Sequence, residues 1–295
     1  MSPSRPAWSS SVAVRCGPVS AANTGGAPWV TCEAEGCTGA RLDGAPRCVA
    51  HLDEDGLIQW LARVDAGAPV DARGVVFSKD LLARVLDGRT QFSGARFDGA
   101  TFERDAPFDK ITFDGTTSFD EATFTRKAGF GSCRFTGAAT FAGTTFVGHL
   151  WFVGTTCDAP ATFDKATFSG PAWFTQAVFN DGASFAGVQF GGLADFSKAT
   201  FGGDATFATT TFAHDLGVDR AHFDRAPSFT GASFRDKRPL PAFDSGTSAL
   251  TWPSSQPRVA RAGGRAVAMV RRVWIPLLIL LVIALGALLF RGGGV

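Results

Sequence analysis

Through the middle of the chain, large apolar residues return at a pace that fits neither a helix nor a continuous strand. The series begins at Phe92, Phe97 and Phe102 and runs through Phe108, Phe113, Phe119, Phe124, Phe130, Phe135, Phe141, Phe146 and Phe152. It continues past Cys157 through Phe163, Phe168, Phe174, Phe179, Phe185, Phe190, Phe196, Phe201, Phe207 and Phe212. Beyond Val218 come Phe223, Phe229, Phe234 and finally Leu240. After two initial steps of five, steps of five and six alternate without a break. On a helix, at about 100° per residue, such steps turn by about 500° and 600° and scatter the rings around the axis. In one long strand the odd steps throw successive rings onto opposite faces. The rings converge only if the chain turns a corner between anchors, each short segment offering one ring to a shared interior. Phe77, Phe243 and Phe290 fall outside this register.

The positions between anchors support that reading. Two residues before the anchor the side chain is usually alanine, as at Ala95, Ala122, Ala139, Ala161 and Ala183. Small beside large fills a narrow tube without voids. Thr or Ser often stands between them, suited to an outward strand position. Gly, Asp and Asn gather after the anchor, where a corner falls.

Segments such as FDKATF, FDEATF, FSKATF, FTGASF and FAGTTF resemble the pentapeptide-repeat family in its Phe-centred form, over roughly residues 90–240. The resemblance implies an all-β fold, a right-handed quadrilateral β-helix with four short sides per coil. This sequence departs from the plain repeat by one extra residue at every second step. A four-sided coil then holds about 22 residues, with the extra residue bulging at two of the four corners, and Phe92 to Leu240 makes nearly seven coils, ~33 Å of axis.

Residues 22 apart are therefore expected to stack on one outer face. Trp151 and Trp173 form a pair of exposed indoles in a column with Gly129, Asp195 and Gly217. A second column reads Ser118, Thr140, Thr162, Ser184, Thr206, Ser228. The hydroxyls read as ordinary strand surface. The indoles read equally as strand surface or as a patch for a protein partner, because aromatics are favoured at interface hot spots. Inside, Phe97, Phe119, Phe141, Phe163, Phe185 and Phe207 form one column of core anchors. Open ends of such a tube are sheet edges that need covers.

The flanks read as those covers. Residues 1–28, rich in Ser, Pro, Gly and Ala, show no periodicity and read as disordered. In 29–52, Cys32, Cys37, Cys48 and His51 give C-x4-C-x10-C-x2-H, the composition of a closed Cys3His structural zinc site. Free thiols or a disulfide pair are the alternatives. The string also resembles the Cys-rich cap ahead of the repeats in actinobacterial members of that family. Cys16 has no assigned role; Cys133 and Cys157 fall on inward positions as buried thiols. Residues 53–89 read as a two-helix cap. Leu57, Ile58, Leu61 and Val64 share one helical face, ended by Gly67 and Pro69; Ser78 caps a second helix carrying Leu81, Leu82, Val85 and Leu86, with Gly88 past its end. The solenoid is assigned to 90–243 and a basic linker to 244–270.

Residues 273–290, VWIPLLILLVIALGALLF, hold no charge and as a helix would span about 27 Å, close to a bilayer's apolar core. The segment 271–291 is expected to be a transmembrane helix. Arg258, Arg261, Arg265, Arg271 and Arg272 precede it and Arg291 alone follows, which places the N-terminal part in the cytoplasm of a bacterial inner membrane. The basic linker suits anionic head groups.

The composition narrows the chemistry. Phe numbers 28 and Tyr 0, so the interior selects a bare ring with no polar handle. A net charge of +1 gives no global field for a polyanion. His149, His214 and His222 sit at scattered corner or outward positions, and no catalytic grouping or phosphate loop emerges. The reading is a non-enzymatic membrane-anchored scaffold for an unknown protein partner, with no nucleic acid or small-molecule substrate. The alternative is a DNA-mimic modulator of a type II topoisomerase. Residues 90–240 hold 16 acidic and 13 basic residues, weak charge for imitating a duplex.

Overall fold

The structure, a computed structural model, describes residues 28–235 and 241–251. Two-residue strands separated by corners wind into a tube with four flat sides, each side a parallel sheet running along the axis. In chain order within a coil we call these the first to fourth faces, of seven, eight, six and seven strands. On the first face Ala95, Thr117, Ala139, Ala161, Ala183 and Ala205 are partners in succession, 22 residues apart. The opening coil of the fourth face, where Phe92 pairs with Phe113, is one residue shorter, as its two steps of five require.

From Phe97 to Phe229 every anchor of the first face is phenylalanine, while Ala72 holds that place in the first coil, and the rings stack directly. Phe141 and Phe163 lie 4.8 Å apart with planes 2° from parallel, both fully buried. Across the tube, rings of the first and third faces meet edge to face, as Phe163 does with Phe174 at 86° and Phe174 with Phe185 at 85°. Offset stacking along the axis and T-shaped contact across it are the two favoured arrangements of aromatic quadrupoles. Leucine lacks that geometry, and tyrosine would bury a hydroxyl in an aromatic interior.

The corners explain the alternating steps. Steps of five leave the first and third faces through a four-residue turn in which the amide three residues past the anchor donates to the anchor's carbonyl, as Ala166 N does to Phe163 O at 3.0 Å. The third residue of that turn has positive φ, glycine at Gly143 and Gly187 but Lys165, Lys198 and Arg220 elsewhere. This is a type II turn. The extra residue of the six-residue steps lies at the other two corners.

The tube begins earlier than the phenylalanine series. Val70 pairs with Ala95 and Val76–Phe77 with Thr101–Phe102, so the ladder starts at Val70 rather than near residue 90. Phe77 is in the stack, 5.0 Å from Phe102 with planes at 4°. It escapes the sequence register because this coil is longer: a helix, α2 (Lys79–Leu86), takes the place of a third-face strand. The preceding helix, α1 (Glu54–Asp65), buries Leu57, Trp60 and Val64, while Ile58 is exposed. The larger indole of Trp60, not Ile58, draws the helix face inward. Asp53 and Ser78 cap the two helices through Gly56 N and Leu81 N. Arg84 binds Glu54, and Arg89 binds Asp65, each through two hydrogen bonds.

At the other end, a hairpin of Ala242–Asp244 and Ala249–Thr251 contributes Ser248 O to the amide of Phe223. Among the described residues no helix is long and apolar enough to cross a membrane. Residues 1–27, with Cys16, the anchor Leu240 and residues 252–295, with most of the linker and the apolar span, lie outside the described residues.

Candidate metal centre and outer surface

Cys32, Cys37, Cys48 and His51 converge, their ligand atoms all within 4.8 Å of one another. Cys32 follows a bridge between Thr31 and Ala40. Gly36 and Gly44 take positive φ in the turns between the ligands. Cys48 opens a single 3₁₀ turn, Val49–His51, that brings His51 back beside it, with His51 N donating to Cys48 O. Gly39 permits the approach of the two halves, since a Cβ there would stand 2.8 Å from the Cys48 sulfur.

The separations match one ion at the centre. Cys32 Sγ and Cys48 Sγ each lie 3.5 Å from His51 Nδ1, and Cys37 Sγ lies 3.7 Å from Cys48 Sγ. A tetrahedron with metal–sulfur bonds of about 2.3 Å and metal–nitrogen bonds of about 2.05 Å has edges of about 3.8 and 3.6 Å. The sulfurs are too far apart for disulfides, and no described cysteine is in one. Burial pushes the Cys48 thiol pKa well up, helped by the neighbouring Cys37 and Cys32. At Cys32 burial also raises the pKa, but hydrogen bonds to the backbone of Ala34 and Cys48 and to neighbouring thiols bring it below the ordinary value. Burial and nearby Arg47 lower that of His51, a shift in favour of the neutral imidazole that a metal ligand requires. The four residues could hold a metal ion, with three thiols and one imidazole completing a closed shell.

This lobe is seated on the first coil. Ala40 N donates to Arg73 O and Thr38 Oγ1 to Gly74 O. The indole of Trp29 lies over Gly74 and Gly99, donates to Thr38 O, and has the Arg73 guanidinium 5.4 Å from its ring centre. Arg73 is held in turn by both carboxylate oxygens of Asp71. Sequence reasoning missed Trp29, whose seat depends on glycines far along the chain.

Outside, the columns are ladders. Ser118, Thr140, Thr162, Ser184 and Thr206 pair in succession, and Thr206 bridges Ser228. Aspartates at the corners tie one coil to the next: Asp120 accepts from Ala142 N, and Asp164 from Ala186 N and from Ser184 Oγ. On the third face Gly129, Trp151, Trp173, Asp195 and Gly217 are partners. The indoles touch at 5.5 Å but are tilted by 60° rather than stacked flat. Trp151 is exposed and Trp173 half-buried, because His149 packs against Trp173 at 71°, while Lys127 Nζ lies over the Trp151 ring.

The repeats carry the family assignment. The family model described as pentapeptide repeats (9 copies) matches residues 69–123, 119–167 and 163–211. The chain is a pentapeptide-repeat protein. No curated protein and no solved structure matches it. The family match begins at residue 69, in agreement with the first coil at Val70 and ahead of the phenylalanine series. Cys133 and Cys157 are buried within the pentapeptide-repeat tube. Burial raises the pKa of both thiols, that of Cys133 to about 12. Cys133 Sγ donates to Phe108 O, as the buried hydroxyls of Thr144 and Thr210 donate to Phe119 O and Phe185 O.

Proposed function

We propose that this pentapeptide-repeat protein is a non-enzymatic scaffold, tethered to the cytoplasmic face of a bacterial membrane and presenting its rigid tube to a protein partner. The supporting observation is the division of labour in the repeat. Inward positions are occupied by packing, corner positions by coil-to-coil hydrogen bonds, and the side chains left over form straight outer ladders. Such a surface suits recognition along a length more than chemistry at a point. The Cys/His lobe, in this reading, holds a structural zinc ion that closes the N-terminal end of the tube. The segment 271–291 supplies the tether, with the basic residues before it on the cytoplasmic side.

Charge distribution gives the DNA-mimic alternative some support. Between residues 92 and 234, the corners on either side of the first face carry nine acidic and two basic residues. Cross-linking in intact membranes, followed by detergent extraction and identification of the captured protein, separates the readings. A membrane-resident complex supports the scaffold; a type II topoisomerase supports mimicry.

A further inference from the structure

Four large apolar side chains stand exposed among the described residues, Val30, Ile58, Val147 and Trp151. Two of them share a coil: Val147 lies at the corner between the second and third faces and Trp151 on the third face. Trp173 lies beside Trp151 on the next coil. The corner itself is stripped of side chains along the axis. Gly148 and Gly170 pack backbone to backbone with the preceding coil, and a Cβ at either would meet a carbonyl, Arg126 O at 2.3 Å or Gly148 O at 2.6 Å. The apolar groups therefore stand proud of a low ridge.

Basic side chains rim the patch. Arg104, Arg126 and Lys127 are exposed on the coils next to it, Lys127 directly over the Trp151 ring. An open groove between α2 and the start of the third face, where Lys79, Arg104 and Arg126 stand with Asp80 and Asp105 over Leu82, continues it toward the N-terminal end. The charge of the tube is polarised accordingly. The corners on either side of the third face carry six basic and five acidic residues between 92 and 234, against two and nine around the first face. An anionic plane is attracted to one side of the tube and repelled by the other.

We propose that the third-face side, centred on Trp151 and Trp173, rests on an anionic lipid surface, with the indoles at head-group level and Arg104, Arg126 and Lys127 on the phosphates. Indoles favour that depth because one edge is apolar and the N–H is polar. Basic side chains near an anionic leaflet add attraction that salt screens. Lipid is the occupant the page favours over a protein because the same chain carries the uncharged stretch 273–290. The intervening residues 252–272 can reach up to about 70 Å when fully extended, enough for the tube to lie against the surface. This inference rests on the membrane-tether reading and adds which side of the tube meets the membrane.

The test is hydroxyl-radical footprinting of the full-length, metal-loaded chain in nanodiscs of phosphatidylcholine alone or with phosphatidylglycerol. We expect modification of Trp151 and Val147 to fall roughly five-fold in the anionic discs, with Ile58 unchanged, and to return in R126E/K127E or at high salt. A cooperative melt of R126E/K127E like that of the parent excludes misfolding as the cause. Co-elution with anionic discs while Trp151 stays fully modified overturns this inference and leaves the tether intact. Failure to co-elute with either disc overturns the tether and this inference together. Protection of Trp151 in native membranes but not in lipid-only discs assigns the patch to a protein and overturns the lipid assignment.

Discussion

Phe152 and Phe179 lie with their rings 8° from parallel and 6.2 Å apart, although they anchor different faces of the tube. Phe152 is equally aligned with Phe135 below, at 7° and 6.1 Å, and is tilted by about half a right angle to Phe130 and Phe174 in its own column. The cause is Cys157, which stands between Phe135 and Phe179 where the other coils place a phenylalanine. The ring of Phe152 fills the space that the thiol leaves. Leu150 in turn stands where the coils on either side place Ala128 and Ala172. Volume is thus conserved around the coil by two substitutions and one reoriented ring.

That relay predicts strong coupling. Cys157→Phe alone overfills the coil and should destabilise by about 1–3 kcal/mol. Leu150→Ala alone opens a cavity and should cost about 2–5 kcal/mol. The double variant restores the composition of a regular coil, and its denaturant midpoint should lie close to the parent's, far from the sum of the singles.

The absence of tyrosine has a measurable basis. Phe163 is fully buried among rings, and no water or carbonyl is required by any of its contacts. Phe163→Tyr buries a hydroxyl without a partner and should cost about 1–3 kcal/mol in equilibrium unfolding. A melting temperature equal to the parent's would show that the interior is wetter than the ring packing implies.

Removal of metal should act at one end of the tube. On the proposed structural zinc site, chelation or Cys48→Ser should abolish binding of one metal ion per chain and raise hydrogen exchange in residues 29–52 and the first coil. Coils beyond Phe141 should keep their protection, because a repeat array transmits stability mainly to neighbours. Protection lost uniformly along the tube would contradict this.

The buried thiols set a pH limit. The pKa of Cys133 is raised by burial from 9.0 to about 12. A group whose pKa is raised on folding contributes stability in full below its unfolded value and loses it as pH climbs to the folded one. Unfolding free energy should therefore fall between about pH 9 and pH 12, and Cys133→Ala should flatten that decline.

Much of this was legible in the sequence because one interior position per step is filled by one residue type, and no other element tolerates that pacing. The Cys/His quartet was legible for a similar reason, since its ligand chemistry is narrow. The first coil was hidden because α2 interrupts it, placing Phe77 outside the spacing that Phe102 and its successors keep. The buried face of α1 was misread at Ile58 because helical periodicity alone does not weigh an indole against a branched aliphatic. The tilt of Trp151 against Trp173 depends on His149 and Lys127, one on the same coil and one on the coil before, a relationship that exists only once the coils are stacked.

The account turns on a 22-residue coil closing around a dry aromatic axis, and deletion of one coil tests it most directly. Removing residues 185–206 joins Ser184 to Phe207 in the register that Thr206 now supplies. That variant should melt in one cooperative step with a parent-like circular dichroism spectrum. Removing only 187–206, a plain four-repeat length, shifts every later ring out of its column and should leave the C-terminal half unfolded. Equal stability for the two deletions, or loss of folding in the 22-residue one, would contradict the coil described here.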